Sequence, residues 1–197
     1  MRKVTLIIIT FFLFLLPTSA ICEDWTGDIN LFMGAKQLEE DDWEPLEEQD
    51  EYGIMLDFKQ ESWPISIAID LLSSSDKQTG YYYIYGYGTI SATLEGETSE
   101  FNLGIRKIWD GSPTIRPYIG GGIAMVSAEI KASTGGYTAS DDDKAMGFWF
   151  GGGLYLTLTE HFNLGLDFRQ SKAEVTLFGV DGKAGGTHAG VFVGYHW

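Results

Sequence analysis

His188-Ala189-Gly190-Val191-Phe192-Val193-Gly194-Tyr195-His196-Trp197 closes the chain on an unbroken alternation. In an extended strand, successive side chains point to opposite faces. Ala189, Val191, Val193, Tyr195 and Trp197 therefore share one side, and His188, Gly190, Phe192, Gly194 and His196 share the other. The first row is apolar and ends in two aromatics. The second mixes small, polar and one large aromatic residue. Chain ends are ordinarily loosely held, so this pattern predicts a final strand that is built in up to Trp197.

Working back from that strand, period two recurs almost throughout, and no amphipathic helix of useful length is expected. Residues 25–36 place Ile29, Leu31, Met33 and Ala35 opposite Asp28, Asn30, Phe32, Gly34 and Lys36. Tyr52, Ile54, Leu56 and Phe58 alternate with Gly53, Met55, Asp57 and Lys59. Ile65, Ile67, Ile69 and Leu71 alternate with Ser66, Ala68, Asp70 and Leu72. Phe101, Leu103, Ile105, Lys107 and Trp109 face away from Asn102, Gly104, Arg106 and Ile108. Ile115, Ile119, Ile123 and Met125 oppose Arg116, Tyr118, Gly120 and Gly122. Met146, Phe148, Phe150, Leu154, Leu156 and Leu158 oppose Gly147, Trp149, Gly151, Gly153 and Tyr155. Leu164, Leu166 and Phe168 oppose Gly165, Asp167 and Arg169, and this pattern slips near Ser171-Lys172, as a bulge or an exit from the sheet would make it do.

These are eight strands, and their connections alternate in character. The stretches 60–62, 110–113 and 159–162 are short turns. The stretches 37–50, 73–80, 133–143 and 179–186 read as longer polar loops, several of them acidic. The run Tyr81 to Tyr87 either extends the third strand's hairpin or begins the fourth strand.

The amino terminus carries a different signal. Met1-Arg2-Lys3, an apolar run from Val4 to Leu16 and then Pro17-Thr18-Ser19-Ala20 make a secretory leader over residues 1–20, cut after Ala20. The apolar run is too short for a comfortable transmembrane helix of ~20 residues. An uncleaved anchor is the alternative. Residues 21–197 then form one domain. Cys22 is the single cysteine, so no internal disulfide framework exists. Its place just past the leader raises lipidation, although Ile21 before it is bulky where small residues are usual; a free thiol is the alternative.

The chain holds 28 acidic and 13 basic residues, a formal net charge of -15, which repels nucleic acid. Twenty-five glycines and 14% aromatics suit short strands and tight turns, in a membrane barrel or a soluble one alike.

The polarity of the two faces separates those cases. A soluble lipocalin-like barrel turns its apolar row inward and meets water with a dense charged row. A membrane barrel reverses this. Here the non-apolar row is mostly glycine, from Gly34 through Gly104, Gly122 and Gly151 to Gly194, interrupted by Tyr118, Trp149, Tyr155 and Phe192. Small beside large is how a narrow interior is filled. Asp57, Asp70, Asp167, Arg106, Arg116 and Arg169 fall in the same row, and charges in a narrow lumen must pair. They predict an Arg–Asp network that links facing walls and plugs the interior. Trp25, Trp63, Trp109, Tyr195 and Trp197 fall near one set of strand ends, where an interfacial girdle belongs. The fold class is therefore all-β, an antiparallel eight-stranded up-and-down transmembrane β-barrel, over an alternative of a soluble small-ligand-binding barrel or sandwich.

With its terminal aromatic and its alternating last strand, the chain resembles the small eight-stranded outer-membrane barrels of Gram-negative bacteria, the group of the OmpA membrane domain and OmpX, over residues 25–197. The resemblance implies a bacterial outer-membrane location among lipid and lipopolysaccharide. It also implies insertion by the barrel-assembly machinery, for which Val191, Val193, Tyr195 and Trp197 would be the C-terminal signal, and a monomer. The group spans anchors, adhesins, narrow channels and a few lipid-modifying enzymes. The expected role is a non-enzymatic structural or surface-interaction one without cofactor; a porin-like narrow channel for ions or small hydrophobic compounds is the alternative.

Candidates for catalysis and metal binding are few. Of three histidines, His188 is the best candidate, near the outer end of its strand, but Thr187 and Gly190 do not make the His-x-Ser arrangement of the deacylase type. Glu39, Glu40, Asp41, Asp42, Glu44, Glu47, Glu48, Asp50 and Glu51 crowd the first loop, and Asp141, Asp142 and Asp143 the third. Such oxygen clusters suit a weakly held divalent cation, but the EF-hand spacing is missing. A hydrated, flexible acidic loop is the preferred reading.

Overall fold

The computed structural model describes residues 25–85, 88–112 and 114–197. The expected leader, Cys22 and the lipidation question lie outside these residues, as do Gly86, Tyr87 and Pro113.

Period-two alternation, with β-branched and aromatic residues on one face, has one stable outcome here: strands that curl until the first meets the last. They are β1 (Trp25–Gln37), β2 (Glu48–Gln60), β3 (Ser66–Ile84), β4 (Gly88–Ile108), β5 (Ile115–Thr134), β6 (Tyr137–Thr157), β7 (Phe162–Lys172) and β10 (Thr187–His196). Their order around the barrel is β1-β10-β7-β6-β5-β4-β3-β2, every pair antiparallel. A one-turn helix α1 (Glu40–Trp43) and a hairpin of β8 (Glu174–Leu177) with β9 (Val180–Lys183) lie outside the ring. Closure matters because lipid offers nothing to hydrogen-bond a free sheet edge.

The final strand joins both neighbours: Phe192 pairs with Phe32 of β1 and with Gly165 of β7. Strand geometry stops at His196, one residue before the expected end. Trp197 is nevertheless held, its backbone N–H donating to Gly27 O at 3.0 Å and its carbonyl accepting from Gly27 N at 3.2 Å. Thr26 Oγ1 donates to the same carbonyl at 2.8 Å. A side chain at position 27 would run into the Trp197 indole at 2.6 Å, so Gly27 is the flat seat of that ring.

The apolar rows point outward. Leu31, Ile54, Leu71, Ile105, Ile123, Phe150, Leu166 and Val191 are exposed or half-exposed around the ring, whereas Asp57, Asp70, Arg106 and Arg169 are at most 1% exposed. That inversion removes the soluble-barrel alternative, since no water-facing surface is built of leucine, isoleucine and phenylalanine with its charges inside. Trp25 and Trp63 stack edge-on at 5.5 Å at the rim carrying the chain ends.

The outer side departs from expectation. Residues 73–80 do not form a loop: β3 and β4 pair continuously from Ser66↔Arg106 to Ile84↔Gly88. Likewise 133–143 is strand on both sides of a turn at Gly135 and Gly136, whose φ of 54° and 89° only glycine adopts easily. Tyr81 belongs to β3 and Tyr85 to the turn. The physical reason is that backbone pairing alone carries these stretches, because serine, threonine, glutamate and lysine tolerate a sheet wetted on both faces.

The result is a four-stranded sheet, β3 to β6, projecting beyond the closed ring. On one face of it Glu97, Glu129 and Asp142 stand side by side across three strands.

The first loop is also more ordered than a hydrated acidic segment would be. Trp43 and Leu46 turn inward and are each 3% exposed. Trp43 joins Leu38, Val126, Ala128, Ala173, Val175, Leu177 and Ala184 in an apolar cap over the outer mouth. Residues 179–186, expected as loop, contain β9, and Asp141 and Asp143 dock the hairpin by accepting N–H bonds from Phe178 at 2.5 Å and Thr176 at 2.8 Å. Burying two large apolar residues from an acidic run outweighs leaving that run in water.

Candidate functional site

Asp57, Asp70, Arg106, Arg116, Asp167 and Arg169 are all buried inside the ring, arranged in layers. The innermost layer, at the girdle end, joins facing walls. Arg116 of β5 donates to Asp28 Oδ1 of β1 at 3.1 Å, to Asn163 Oδ1 at 3.3 Å and, through Nε, to Thr157 Oγ1 at 3.1 Å. His196 Nδ1 lies 3.1 Å from the same Asp28 oxygen. Asn163 also donates to Asp28.

The middle layer is the densest. Arg106 of β4 donates to Asp57 at 2.9 Å and to both oxygens of Asp70 at 3.2 and 3.1 Å. Arg169, from the facing wall, reaches Asp70 at 2.8 Å and Asp167 at 2.6 Å. Tyr155 OH donates to Asp57 at 2.7 Å, and Tyr118 OH donates to Asp167. The aromatic rings fill space and face the cations: Arg106 sits 5.0 Å from the Tyr118 centroid and Arg116 5.1 Å from that of Tyr155. Phe192 packs on Tyr155 at 4.8 Å between centroids. Glycine makes this possible, since a side chain at 165 would overlap Phe192 and one at 153 would meet Tyr118.

Sequence reasoning missed the third, outer layer. Lys36 donates to Glu100 at 2.8 Å, Thr98 at 2.9 Å and the carbonyl of Ala184 at 2.9 Å. His188 Nδ1 is 2.8 Å from Glu51, and its Nε2 is 3.0 Å from Ser171 Oγ and 3.4 Å from Glu100. Gln49, Ser74 and Thr98 complete the cluster. The signal for Ser74, Thr98 and Glu100 was the alternation itself, which continues inward past Leu72 through a stretch that reads as loop.

Ser171, His188 and Glu51 have the bond order and distances of a nucleophile, base and orienting carboxylate. The serine absent beside His188 in sequence thus arrives from the neighbouring strand. Ser171 Oγ also donates to a second carboxylate, Glu100, at 2.8 Å. All four side chains are buried, beneath the apolar cap. The four side chains come from four strands, β2, β4, β7 and β10.

Across the lumen, Lys36, Arg106, Arg116 and Arg169 face the six carboxylates of Asp28, Glu51, Asp57, Asp70, Glu100 and Asp167. His188 lies against two of these carboxylates, Glu51 and Glu100, and His196 against Asp28. Among the described residues, no three acidic, histidine or cysteine side chains converge as metal ligands. In the first loop, Asp42 accepts the Lys183 N–H at 2.9 Å and Glu39 pairs with the Lys183 ammonium at 3.3 Å.

An apolar exterior, a charged and paired interior and full closure define the chain as an eight-stranded transmembrane β-barrel of the outer-membrane class. Among solved structures it is similar to Ail, the attachment invasion locus protein of Yersinia pestis, in complex with the heparin analogue sucrose octasulfate. The identity is 12%, over 88% of this chain and 99% of that one, with a TM-score of 0.58. It is similar to the outer membrane protein OprG from Pseudomonas aeruginosa at 9% identity, over 88% and 96% of the two chains, with a TM-score of 0.60. A major outer membrane protein from Thermus thermophilus matches at 8% identity, over 88% and 99%, with a TM-score of 0.53. At these identities the likeness is one of fold. No protein-family model matches the chain. No curated protein matches it either.

Proposed function

We propose that the chain is a non-enzymatic outer-membrane barrel with a structural or surface-interaction role, its lumen plugged by the Arg–Asp layers. The observation carrying this reading is the contact of Arg169 with Asp70 across the full width of the barrel, at 2.8 Å. A barrel of eight strands is only just wide enough for its side chains, and here they meet in the middle. The function then falls to what projects outside: the β3–β6 sheet and the capped mouth. Ail, a barrel of this fold named for attachment, supports a role of that kind. In this reading residues 1–20 direct export and 21–197 form the barrel as a monomer. Val191, Val193, Tyr195 and Trp197 address it to the assembly machinery. The test is conductance of the mature chain in planar lipid bilayers. The plugged barrel gives no stable steps, whereas reproducible steps from the unaltered protein overturn the plug and favour a narrow channel.

A further inference from the structure

The sheet that projects from the ring, β3 to β6, has two unlike faces. Its outward row, apolar around the barrel, turns polar here: Lys77, Glu95, Lys131 and Ser140 stand abreast on the four strands. That row suits water, so this part of the sheet stands clear of the bilayer. The inward row does the opposite. It is charged inside the barrel, and above the cap it continues as Leu94, Ala132 and Ala139 abreast. Leu94 and Ala132 are half-buried and Ala139 is exposed. The cap reaches the row below, Gly96–Ile130–Asp141, where a side chain at Gly96 would meet Leu46 at 3.2 Å.

An apolar sheet face ordinarily lies against another element. Here the β8–β9 hairpin only flanks it, with Phe178 54% and Val180 69% exposed. Phe178 is tied to the inward row by its N–H bond to Asp141. Its φ of 51° is a left-handed conformation that bulky residues rarely adopt, so the tip presents this side chain at a conformational cost.

Charge is sorted in the same way. Lys77, Lys131 and Lys144 all fall on the outward face, whereas Asp76 and Asp141 end the inward Gly96–Ile130 row on either side. Asp76 accepts from the Gln78 amide at 2.8 Å and Asp141 from the Phe178 N–H; among the described residues no cation pairs with either. On the hairpin, Lys183 stands opposite Glu174, at the end away from the tip, and is paired with Glu39 at 3.3 Å.

We propose that this inward shelf seats one amphipathic helix of a cationic polypeptide. Its apolar stripe lies on Leu94, Ala132 and Phe178, and its basic flanks face Asp76 and Asp141. The proposal rests on the surface-interaction role above and specifies the partner. Beyond the Ile130–Asp141 row β5 and β6 each rise four residues, about 13 Å, and the four strands span about 14 Å. A helix with its side chains is about 10–12 Å across, so the shelf takes one. The alanines let it lie close to the sheet. A second copy does not fit, since the chain carries a net charge of -15 and its described helix is a single turn.

The test uses the mature chain in phosphatidylcholine nanodiscs and a fluorescent leucine–lysine peptide of about five helical turns. Fluorescence anisotropy is read against empty nanodiscs. Saturable binding of one peptide per barrel is expected. Ala132→Arg, and separately Leu94→Ser, should weaken it at least about tenfold. Ser133→Arg adds the same charge one residue away on the outward face and should leave it unchanged. Equal effects of the two arginine variants, or equal binding of a scrambled peptide of the same composition, overturn the shelf, because charge attraction alone would produce either. No binding by a barrel that shows heat-modifiable migration overturns it as well. A chain that shows no such migration and does not insert would instead sink the outer-membrane reading itself.

Discussion

The indole N–H of Trp43 donates to the carbonyl of Lys183 at 2.8 Å, joining the first outer loop to the β8–β9 hairpin across 140 residues of chain. That bond and the burial around it hold the outer mouth closed. Trp43→Ala should cost about 3 kcal/mol in local stability. Hydrogen exchange in residues 38–47 and 174–184 should then quicken by about a hundredfold, with the strands below the mouth unaffected. Unchanged exchange would mean that the cap is held by something else.

Asp70 is the hub of the lumen, accepting from both Arg106 and Arg169. Asp70→Ala leaves two buried guanidinium groups sharing fewer carboxylates and should destabilise the barrel by about 3–5 kcal/mol. Urea unfolding in lipid vesicles measures it. Removing charge and partner together, as Asp70→Leu with Arg169→Met, should recover most of the loss.

Acid should release the hairpin. The N–H groups of Thr176 and Lys144 hold the Asp143 carboxyl below the usual carboxylate range. A depressed folded value means the docking is fully present above the ordinary aspartate value of about 4, and is lost as pH falls through the folded value. Limited proteolysis at residues 174–183 should accelerate as pH falls below about 4. Asp143→Asn should flatten that step.

If the outer layer is a clamp, it has no turnover to lose. The unaltered protein should not be labelled by a fluorophosphonate. Ser171→Ala should cost only about 1 kcal/mol, the worth of an ordinary hydrogen bond. Stoichiometric labelling that disappears in Ser171→Ala would convert the clamp into an active site.

Trp197→Ala exposes the flat seat at Gly27 and removes an aromatic from the girdle. Insertion into vesicles should slow, read as a smaller heat-modifiable fraction at a fixed time, while the inserted fraction keeps normal stability within about 1 kcal/mol.

The barrel was legible because two signals coincide at each of its positions. At Asp57, Asp70, Arg106 and Arg169, a charge sits in a row whose neighbours are mostly small or aromatic, opposite a row of leucine and isoleucine. Which of them pair was not legible. The stagger of the closed sheet sets that, bringing Asp28 to Arg116 and leaving Asp167 to Arg169 and Tyr118. The projecting sheet escaped because residues 73–80 run through serine, aspartate, lysine and threonine, giving no contrast between faces. Trp43 and Leu46 were visible only as two apolar residues in an acidic run. The burial of Trp43 depends on a hairpin more than a hundred residues away.

Glu97, Glu129 and Asp142 lie abreast on the face of the sheet that leaves the membrane. Like charges placed directly opposite on neighbouring strands push those strands apart. Counter-ions weaken that push, which reaches about 8 Å in physiological salt and about 30 Å in dilute media. Lys131 offsets part of that repulsion by pairing with Glu129 at 2.9 Å, and the strand pairing of the projecting sheet should tighten as salt screens the remainder.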